Sequence, residues 1–435
     1  MRVKIALALS LVGTLAMAKD VGVPHLGLKF MSVVHDKSNS WAPAQGSGYL
    51  INVGYESPSI FIQNLRVGVG MYVNGDAGLT DWDSKHNKKY AGGLVSKHGG
   101  GSKAVLGTAY IDYTSEYIDL RVGRGELDTP LTKIQASLTP NFYESYMAYI
   151  KPLNGLKVTL GHIDKMSMGA RAATDFGLIG EGGTTGGAIG PFNVNNPKVK
   201  KEQSRFYDMG EVAGVKHTKG RSVVGVSYGG IENFNADFWL YHSYDIATDY
   251  YAQLSKKIPL DESLTLGLYA QYLKQKSTGS ALAGKKDFDM LGAKIELRGK
   301  NWGIYGATNK SGDKKGAKEM GYFNAWGADP AYTNTIFSRN AYRDDVKAYG
   351  FGGDYGLLKN LKVMVDYAHY SKSDTKVGAL ASRKSAWELD VGLNYKPTKE
   401  LLFRVFNSKR VSEYDGVGGV QRRQDHYRAV VAYAF

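Results

Sequence analysis

The chain has 435 residues, of which 54 are glycine and 30 are tyrosine, and none is cysteine. Without cysteine, disulfide bonds and thiolate metal sites are excluded, so backbone pairing and packing must hold the fold together. Lysine and arginine outnumber aspartate and glutamate by 55 to 41, which gives a formal net charge of +14. Such a balance favours anionic small molecules or anionic lipid headgroups as partners rather than nucleic acid, because the amino terminus described next predicts export, and an exported protein rarely meets nucleic acid.

The amino terminus carries the features of an export signal. Arg2 and Lys4 precede an apolar run at 5–15, and Ala16-Met17-Ala18 supplies a cleavage site of the small-x-small type. We therefore predict a signal peptide at 1–18 and a single mature domain at 19–435, whose net charge is +12 because the signal removes two basic residues. No later stretch approaches the roughly 20 continuous apolar residues of a transmembrane helix.

Segments with strict two-residue alternation recur along the whole chain. Clear examples are "LRVGVGMYV" at 65–73, "LTLGLYAQY" at 264–272 and "WELDVGLNY" at 387–395. This period favours β-strands, and a helical period is not sustained over three turns anywhere. Tight, turn-forming links alternate with longer polar, glycine-rich segments at 74–103, 164–219, 312–344 and 413–423. An antiparallel up-and-down barrel with short turns at one end and long loops at the other has this organisation.

The sequence accordingly predicts an all-β fold, a transmembrane antiparallel up-and-down β-barrel of about eighteen strands with long outer loops and short periplasmic turns. The predicted strands are 25–34, 47–56, 64–73, 104–114, 117–124, 142–150, 156–163, 221–230, 236–246, 250–259, 264–276, 287–297, 302–311, 345–357, 361–373, 385–396, 401–412 and 424–435.

The two faces of these strands differ sharply in charge. One face is apolar throughout, as in Val67, Leu266 and Val391, whereas the other carries Arg66, Lys294 and many further charges. Eighteen strands enclose a lumen too wide for side chains to fill, so the apolar face must contact lipid and the charged face must line water.

The last ten residues, "HYRAVVAYAF", follow the same rule. Tyr433 and Phe435 fall on the apolar face, where an interfacial aromatic girdle is expected, and Arg428 falls on the lumenal face.

Several stretches together resemble one family. "LRVGRGELDTPL" (120–131), "LTPNFYESY" (138–146) and "GLKVTLGH" (155–162) resemble the fifth strand, the constriction loop and the following hairpin of the OprD family of outer-membrane porins. The segment 246–272 resembles its tenth and eleventh strands, and 322–357 resembles its seventh loop and fourteenth strand. The terminal "VAYAF" is similar to the signal that outer-membrane barrels present to their insertion machinery.

The resemblance implies an outer-membrane protein of a Gram-negative bacterium that lets small anionic or zwitterionic solutes diffuse passively, without a cofactor. It further implies a constriction formed by the third and seventh loops and a row of lumenal cations. The constriction residues would be Arg121, Arg124, Glu126, Asp128, Arg339 and Arg343. The basic row would comprise Arg66, Lys294, Arg404 and Arg428. Whether barrels associate into trimers is left open.

The basic row is also reasonable on physical grounds. A guanidinium group pairs with a carboxylate in a bidentate fork, so a series of such groups offers an anion successive weak sites. Facing acids such as Glu388 and Asp390 would hold the ammonium end of a zwitterion or balance charge.

Two other classes of function remain open at this point. Gly225-Val226-Ser227-Tyr228-Gly229 matches the nucleophile-elbow pattern of hydrolases, but it lies in an alternating strand with no helix after it. A barrel whose lumen is blocked by its own loops, with 164–219 as a binding surface, would instead be an adhesin. The nine histidines lack ligand spacing, although loop carboxylates could hold a calcium ion.

Overall fold

The computed structural model describes residues 22–35, 44–78, 89–90, 102–133, 138–169, 204–312, 321–323, 325–327, 330–336, 338, 340–373, 383–414 and 421–434. The predicted signal peptide and Phe435 lie outside these ranges. Among the described residues, no helix is long and apolar enough to cross a bilayer.

Eighteen strands form one closed antiparallel sheet, as the alternation predicts. They are β1 (Val23–His35), β2 (Ala44–Glu56), β3 (Leu65–Asp76), β4 (Lys103–Thr114), β5 (Ile118–Gly125), β6 (Phe142–Leu153), β7 (Leu156–Ser167), β8 (Arg221–Tyr228), β9 (Phe234–Ser243), β10 (Ala247–Pro259), β11 (Thr265–Ser277), β12 (Asp287–Arg298), β13 (Trp302–Ser311), β14 (Lys347–Leu358), β15 (Leu361–Tyr370), β16 (Arg383–Tyr395), β17 (Leu401–Tyr414) and β18 (Gln421–Ala434).

Each strand pairs with its sequence neighbours, and β18 pairs with β1, which closes the barrel without a free edge. Two short strands, Lys89–Tyr90 and Phe206–Asp208, add to the sheet at the long-loop end, and the latter leads into a four-residue helix α1 (Met209–Val212). A 3₁₀ turn spans Asn340–Tyr342.

The connections alternate between a short-turn end and a long-loop end, as predicted, with two exceptions. The connection at 57–64 belongs to the short-turn end but has eight residues. The connection at 244–246 belongs to the long-loop end but has only three residues. At the opposite end the tight turn after β6 depends on Gly155, whose φ is +76°. A Cβ atom there would lie 2.3 Å from the Gly230 nitrogen, so a side chain would push apart two neighbouring turns.

The solvent exposure of the side chains confirms that the apolar face of the strands points outward and the charged face points into the lumen. Large apolar side chains that share the outward face of their strands are exposed, among them Val69, Met71, Leu120, Val122, Leu160, Leu268, Leu291, Ile295, Val365, Val391, Leu393, Phe403 and Val405. Charged residues with the opposite parity, such as Asp112, Glu388 and Asp390, are buried on the lumenal side. The apolar surface therefore faces outward around the barrel, as lipid contact requires.

Candidate functional site: the lumen and its folded-in loops

Two loops from the long-loop end fold into the lumen and meet there. The third loop, 126–141, connects β5 to β6, and the seventh loop, 312–346, connects β13 to β14. Tyr143 on β6 joins them, because its hydroxyl donates to the Thr132 carbonyl oxygen at 2.9 Å and to the Trp326 carbonyl oxygen at 2.5 Å. The Tyr241 hydroxyl on β9 donates to Thr129 Oγ1 at 2.9 Å. The third loop thus extends from β5 along the lumenal wall to β9, four strands away.

Trp326 anchors the seventh loop to its surroundings. The side chain is fully buried, and its Nε1 donates to the Met209 carbonyl oxygen of α1 at 2.9 Å. Its ring lies 4.5 Å from the Arg221 guanidinium carbon and packs edge-on against Phe323. One side chain therefore joins the fourth loop, 168–220, which connects β7 to β8, to the seventh loop and to the barrel wall.

Beneath Trp326 lies a fully buried ion pair. Arg221 Nη2 on β8 lies 2.7 Å from Asp249 Oδ2 on β10, and neither side chain is accessible. The guanidinium is held between the rings of Tyr241 and Trp326, and Gln275 Nε2 donates to Asp249 Oδ1 at 2.6 Å. Leaving a buried charge without its partner costs free energy, so Arg221 and Asp249 stay paired. The contact of Trp326 with Arg221 then holds the seventh loop against the barrel wall.

Three lumenal cations lie on the adjacent strands β17, β18 and β1. Arg428 is opposite Phe406, Arg404 is opposite Val430 two residues lower, and Lys29 is opposite Ala432 lower still. By register, Arg428 lies nearest the long-loop end and Lys29 nearest the short-turn end, and we call these three residues the staircase. Lys29 feels the positive charges of Arg428 and Arg404 and the negative charge of Glu126 on the third loop.

Arg404 lies between two cavities. The first has a volume of about 270 Å³ and lies under the seventh loop. It is lined by Tyr305, Asn334, Thr335, Ile336, Met364, Asp366, Asp390, Gly392, Arg404 and Phe406. The second is a vestibule of about 850 Å³ at the short-turn end, which Arg404 also lines.

The acids of the first cavity are held in place by neighbours. The Ile336 backbone N–H donates to Asp390 Oδ2 at 2.8 Å, and the Tyr305 hydroxyl donates to Asp366 Oδ1 at 2.7 Å. Arg404 is itself oriented by Asn394, whose Oδ1 accepts from the guanidinium Nε at 2.5 Å. The cavity thus offers two carboxylates and one guanidinium in fixed positions.

The vestibule is strongly basic. Its lining includes Arg298, Lys300, Lys359, Lys362, Lys396 and Arg404. Asp354 is the one carboxylate among these described lining residues, and it already pairs with Arg298 at 2.6 Å and with Lys362 at 2.8 Å. The surplus of positive charge attracts anions to this end of the lumen.

The structure brings only some of the predicted constriction residues together. Glu126 and Asp128 both lie in the third loop, where Asp128 pairs with Lys133 at 2.7 Å. Arg121 lies lower on the lumenal wall, 3.0 Å from Asp112 and over the ring of Tyr110.

Arg124, Arg343 and Arg339 are placed differently. Arg124 faces outward, in register with Glu144 beside the exposed pair Val122 and Tyr146, and it lies 2.9 Å from the Glu144 carboxylate. A positive φ at Gly123 precedes Arg124. Arg343 is fully buried within the seventh loop, where its Nε donates to Asn340 Oδ1 at 3.1 Å. Arg339 lies outside the described residues.

The four residues of the predicted basic row have two different kinds of surroundings in the structure. Arg66 lies 3.2 Å from Glu56, and Lys294 lies 3.5 Å from Glu296 and over the rings of Tyr269 and Tyr305. These two cations are balanced by acids, whereas Arg404 and Arg428 belong to the staircase. Lys29, which the sequence reasoning missed, completes that staircase. Its signal was present, since it is a cation at a lumenal position of the alternating segment "HLGLKFMSV".

The hydrolase pattern has a structural explanation. Ser227 lies inside β8, whose chain continues through a turn into β9 rather than into a helix. Its hydroxyl donates to Asp237 Oδ1 at 2.6 Å on the neighbouring strand. The serine is therefore a lumenal wall residue without the strand-to-helix turn of a nucleophile elbow.

The comparisons with known proteins decide the family. The family model described as outer membrane porin, OprD family, matches residues 63–435. The chain belongs to the OprD family. It is therefore an outer-membrane channel of a Gram-negative bacterium and not an enzyme. No curated protein sequence matches this OprD-family porin.

Solved structures share the fold of this porin at low identity. OpdK of Pseudomonas aeruginosa, solved with vanillate, has 16% identity and a TM-score of 0.69, over 95% of this chain and 98% of that chain. OccK2 (OpdF) of the same species, in complex with glucuronate, has 15% identity and a TM-score of 0.70, over 95% and 97%. OccAB3 of Acinetobacter baumannii has 15% identity and a TM-score of 0.75, over 96% and 100%. At such identities the likeness shows the fold alone.

The ion preference of the channel is expected to depend on pH through Glu126. The Glu126 side chain is exposed to the lumen, but partial desolvation by the surrounding walls raises the pKa of its carboxyl; Asp128 acts in the same direction, and Lys29 and Lys133 oppose it. As pH falls from 7, Glu126 therefore loses its negative charge earlier than an ordinary glutamate, and the preference for anions rises. Reversal potentials across planar bilayers in a KCl gradient, taken from pH 7 to pH 4, measure this change.

Glu126→Gln removes the titrating carboxyl group, so the variant should already show at pH 7 the stronger preference for anions that the wild type shows at low pH. Asp261→Asn is the control, because Asp261 lies in an exposed turn at the short-turn end, where hydrogen bonds from Ser263 lower its pKa. A pH profile that Glu126→Gln leaves unchanged would contradict this assignment.

Proposed function

We propose that this porin passes small carboxylate-bearing solutes, anionic or zwitterionic, by passive diffusion past Arg428, Arg404 and Lys29. The observation that carries the proposal is the position of Arg404, which lines both the cavity under the seventh loop and the basic vestibule. A solute that leaves the first cavity toward the periplasm meets this guanidinium before it enters the vestibule.

The charges along this route favour a carboxylate at each step. Arg404 is partly exposed and can exchange a lumenal water for a carboxylate oxygen, while Lys29 presents its ammonium group on the neighbouring wall. Because the cations are staggered over three strands, an anion passes from one to the next without tight binding at any of them, as flux requires. Selectivity is therefore expected to be modest.

The acids of the cavity extend the proposal to zwitterions. Asp366 and Asp390 line the same 270 Å³ cavity as Arg404. An amino group near these carboxylates and a carboxylate near the guanidinium would satisfy both ends of one small solute.

Two solved relatives support carboxylates as the solute class. The structure of OpdK contains vanillate and that of OccK2 contains glucuronate, and both ligands carry a carboxylate. We propose carboxylate-bearing solutes for this chain because Arg428, Arg404 and Lys29 place positive charges along its lumen, across from Glu126 on the third loop.

Uptake by proteoliposomes tests the proposal with a matched pair of solutes. Glucuronate and glucose share a ring and differ by one carboxylate, so their ratio isolates the charge. An attraction of about 1 kcal/mol at a partly screened cation predicts that glucuronate enters about fivefold faster. Equal rates would contradict the preference for carboxylates, and no entry of either solute would favour the loop-blocked adhesin.

A further inference from the structure

Two lysines on the outer surface of the barrel are placed directly opposite each other. Lys310 on β13 pairs in register with Lys347 on β14, near the long-loop end of both strands. Both are exposed, and both share the outward parity of exposed residues on their strands, Ile304 on β13 and Tyr349 and Phe351 on β14. They therefore project outward at the height of the outer membrane surface.

Like charges directly opposite each other on paired strands destabilise a sheet. Neither lysine forms an ion pair with a carboxylate among the described residues. Asp289 lies diagonally from Lys310, but Lys274 opposes it directly. An exposed aspartate, Asp345, precedes Lys347 by two residues and does not pair with it.

Other outward lysines at this rim show the contrast. Lys276 is opposed by Asp287, Lys409 by Asp425 and Lys165 by Glu144. In each of these pairs the facing residue supplies the opposite charge. The pair Lys310 and Lys347 instead faces outward with two positive charges and no acid between them, which is the arrangement that an anion from outside would balance.

The surface below the pair is suited to a lipid. Toward the membrane centre, Tyr349 and Phe351 are more than half exposed and face outward, and Gly306 lies opposite Phe351. At the other end of the same two strands, Trp302 and Tyr355 face each other without charge. The cations are thus confined to the outer rim, directly above an apolar, aromatic surface.

We propose that Lys310 and Lys347 bind a phosphorylated headgroup of an outer-leaflet lipid, whose acyl chains pack on Tyr349, Phe351 and Ile304. The two ammonium groups hold the phosphate oxygens, and the apolar surface below distinguishes a lipid from a free anion. Binding relieves the repulsion between the lysines, so the occupied barrel is more stable than the empty one.

Native mass spectrometry of the purified barrel in neutral detergent tests the proposal with diphosphorylated lipid A as the probe. The wild-type protein is expected to retain the lipid, and Lys310→Gln combined with Lys347→Gln, which removes two charges worth about 1 kcal/mol each, is expected to retain it about 30-fold less. Lys165→Gln combined with Lys409→Gln removes the same charge from the same rim and should retain the lipid as the wild type does. Equal loss in both double variants, or no retention by the wild type, would overturn the proposal.

Two further measurements separate the alternatives. Inorganic pyrophosphate at millimolar concentration should not displace the lipid, and complete displacement would mean that the site takes a free anion. In detergent without lipid A, the Lys310 and Lys347 double variant should unfold at an equal or higher temperature, because a repulsion has been removed. A lower unfolding temperature would instead mean that the lysines support the fold directly, and would contradict the proposal.

Discussion

Replacing Arg404 by glutamate is expected to reduce carboxylate uptake about 30-fold and to turn the channel from anion preference to cation preference. The change removes one positive charge and adds one negative charge where the cavity under the seventh loop meets the vestibule. Each unit contributes about 1 kcal/mol to the energy of a passing anion at partly screened distances, so two units give about 2 kcal/mol. Glucuronate uptake and the reversal potential in a KCl gradient measure the two effects.

Two control variants separate charge from structure in this experiment. Arg404→Gln keeps a long polar side chain that can still form a hydrogen bond with Asn394. It removes one unit of charge instead of two, so carboxylate uptake should fall about fivefold. Lys256→Glu makes the same change of charge on the outward face of β10, where its exposed ammonium group now donates to the Glu232 carbonyl oxygen. It should leave uptake unchanged. An effect of Lys256→Glu equal to that of Arg404→Glu would assign selectivity to net charge instead of to the staircase.

Much of the barrel could be predicted from the sequence because its signal is local. Every one of the eighteen predicted spans overlaps an observed strand, since a side chain's parity alone decides whether it contacts lipid or water. The same parity places Arg404 and Arg428 on the lumenal face, and it would have identified Lys29. What alternation cannot give is the relation between distant strands, such as the closure that pairs β1, which carries Lys29, with β18, which carries Arg428.

The loop residues were harder to predict because no periodicity governs them. Arg343 carries a charge in a predicted constriction loop, yet the loop folds around it and leaves it fully buried. Arg124 follows Gly123 at the end of β5, and its register with Glu144 turns it outward. Conversely, nothing in "NAWGAD" indicates that Trp326 would bind Met209 and Tyr143, which are 117 and 183 residues away from it along the chain, because that role exists only in the folded chain.

Replacing Trp326 by alanine is expected to raise the single-channel conductance and to lower the free energy of unfolding by about 3–5 kcal/mol. The ring is fully buried, so its removal leaves a large cavity between the fourth and seventh loops. The Arg221–Asp249 pair also loses the aromatic face above it and becomes open to water. With its main anchor gone, the seventh loop should leave the lumen more often, which widens the path for ions. Planar-bilayer recordings and denaturant unfolding measure the two quantities.

Smaller changes at the same anchor distinguish loop attachment from general loss of stability. Tyr143→Phe keeps the ring and removes only the hydroxyl that binds the Thr132 and Trp326 carbonyl oxygens, so conductance should become noisier while the barrel stays folded. Trp387→Ala removes an equally large ring from the outward aromatic surface of β16, next to Tyr367, and should leave conductance unchanged. If Trp326→Ala conducts like the wild type, the third and seventh loops are held by their separate wall contacts, Tyr241 to Thr129 and Asp390 to Ile336, and the shared anchor is not what narrows the pore.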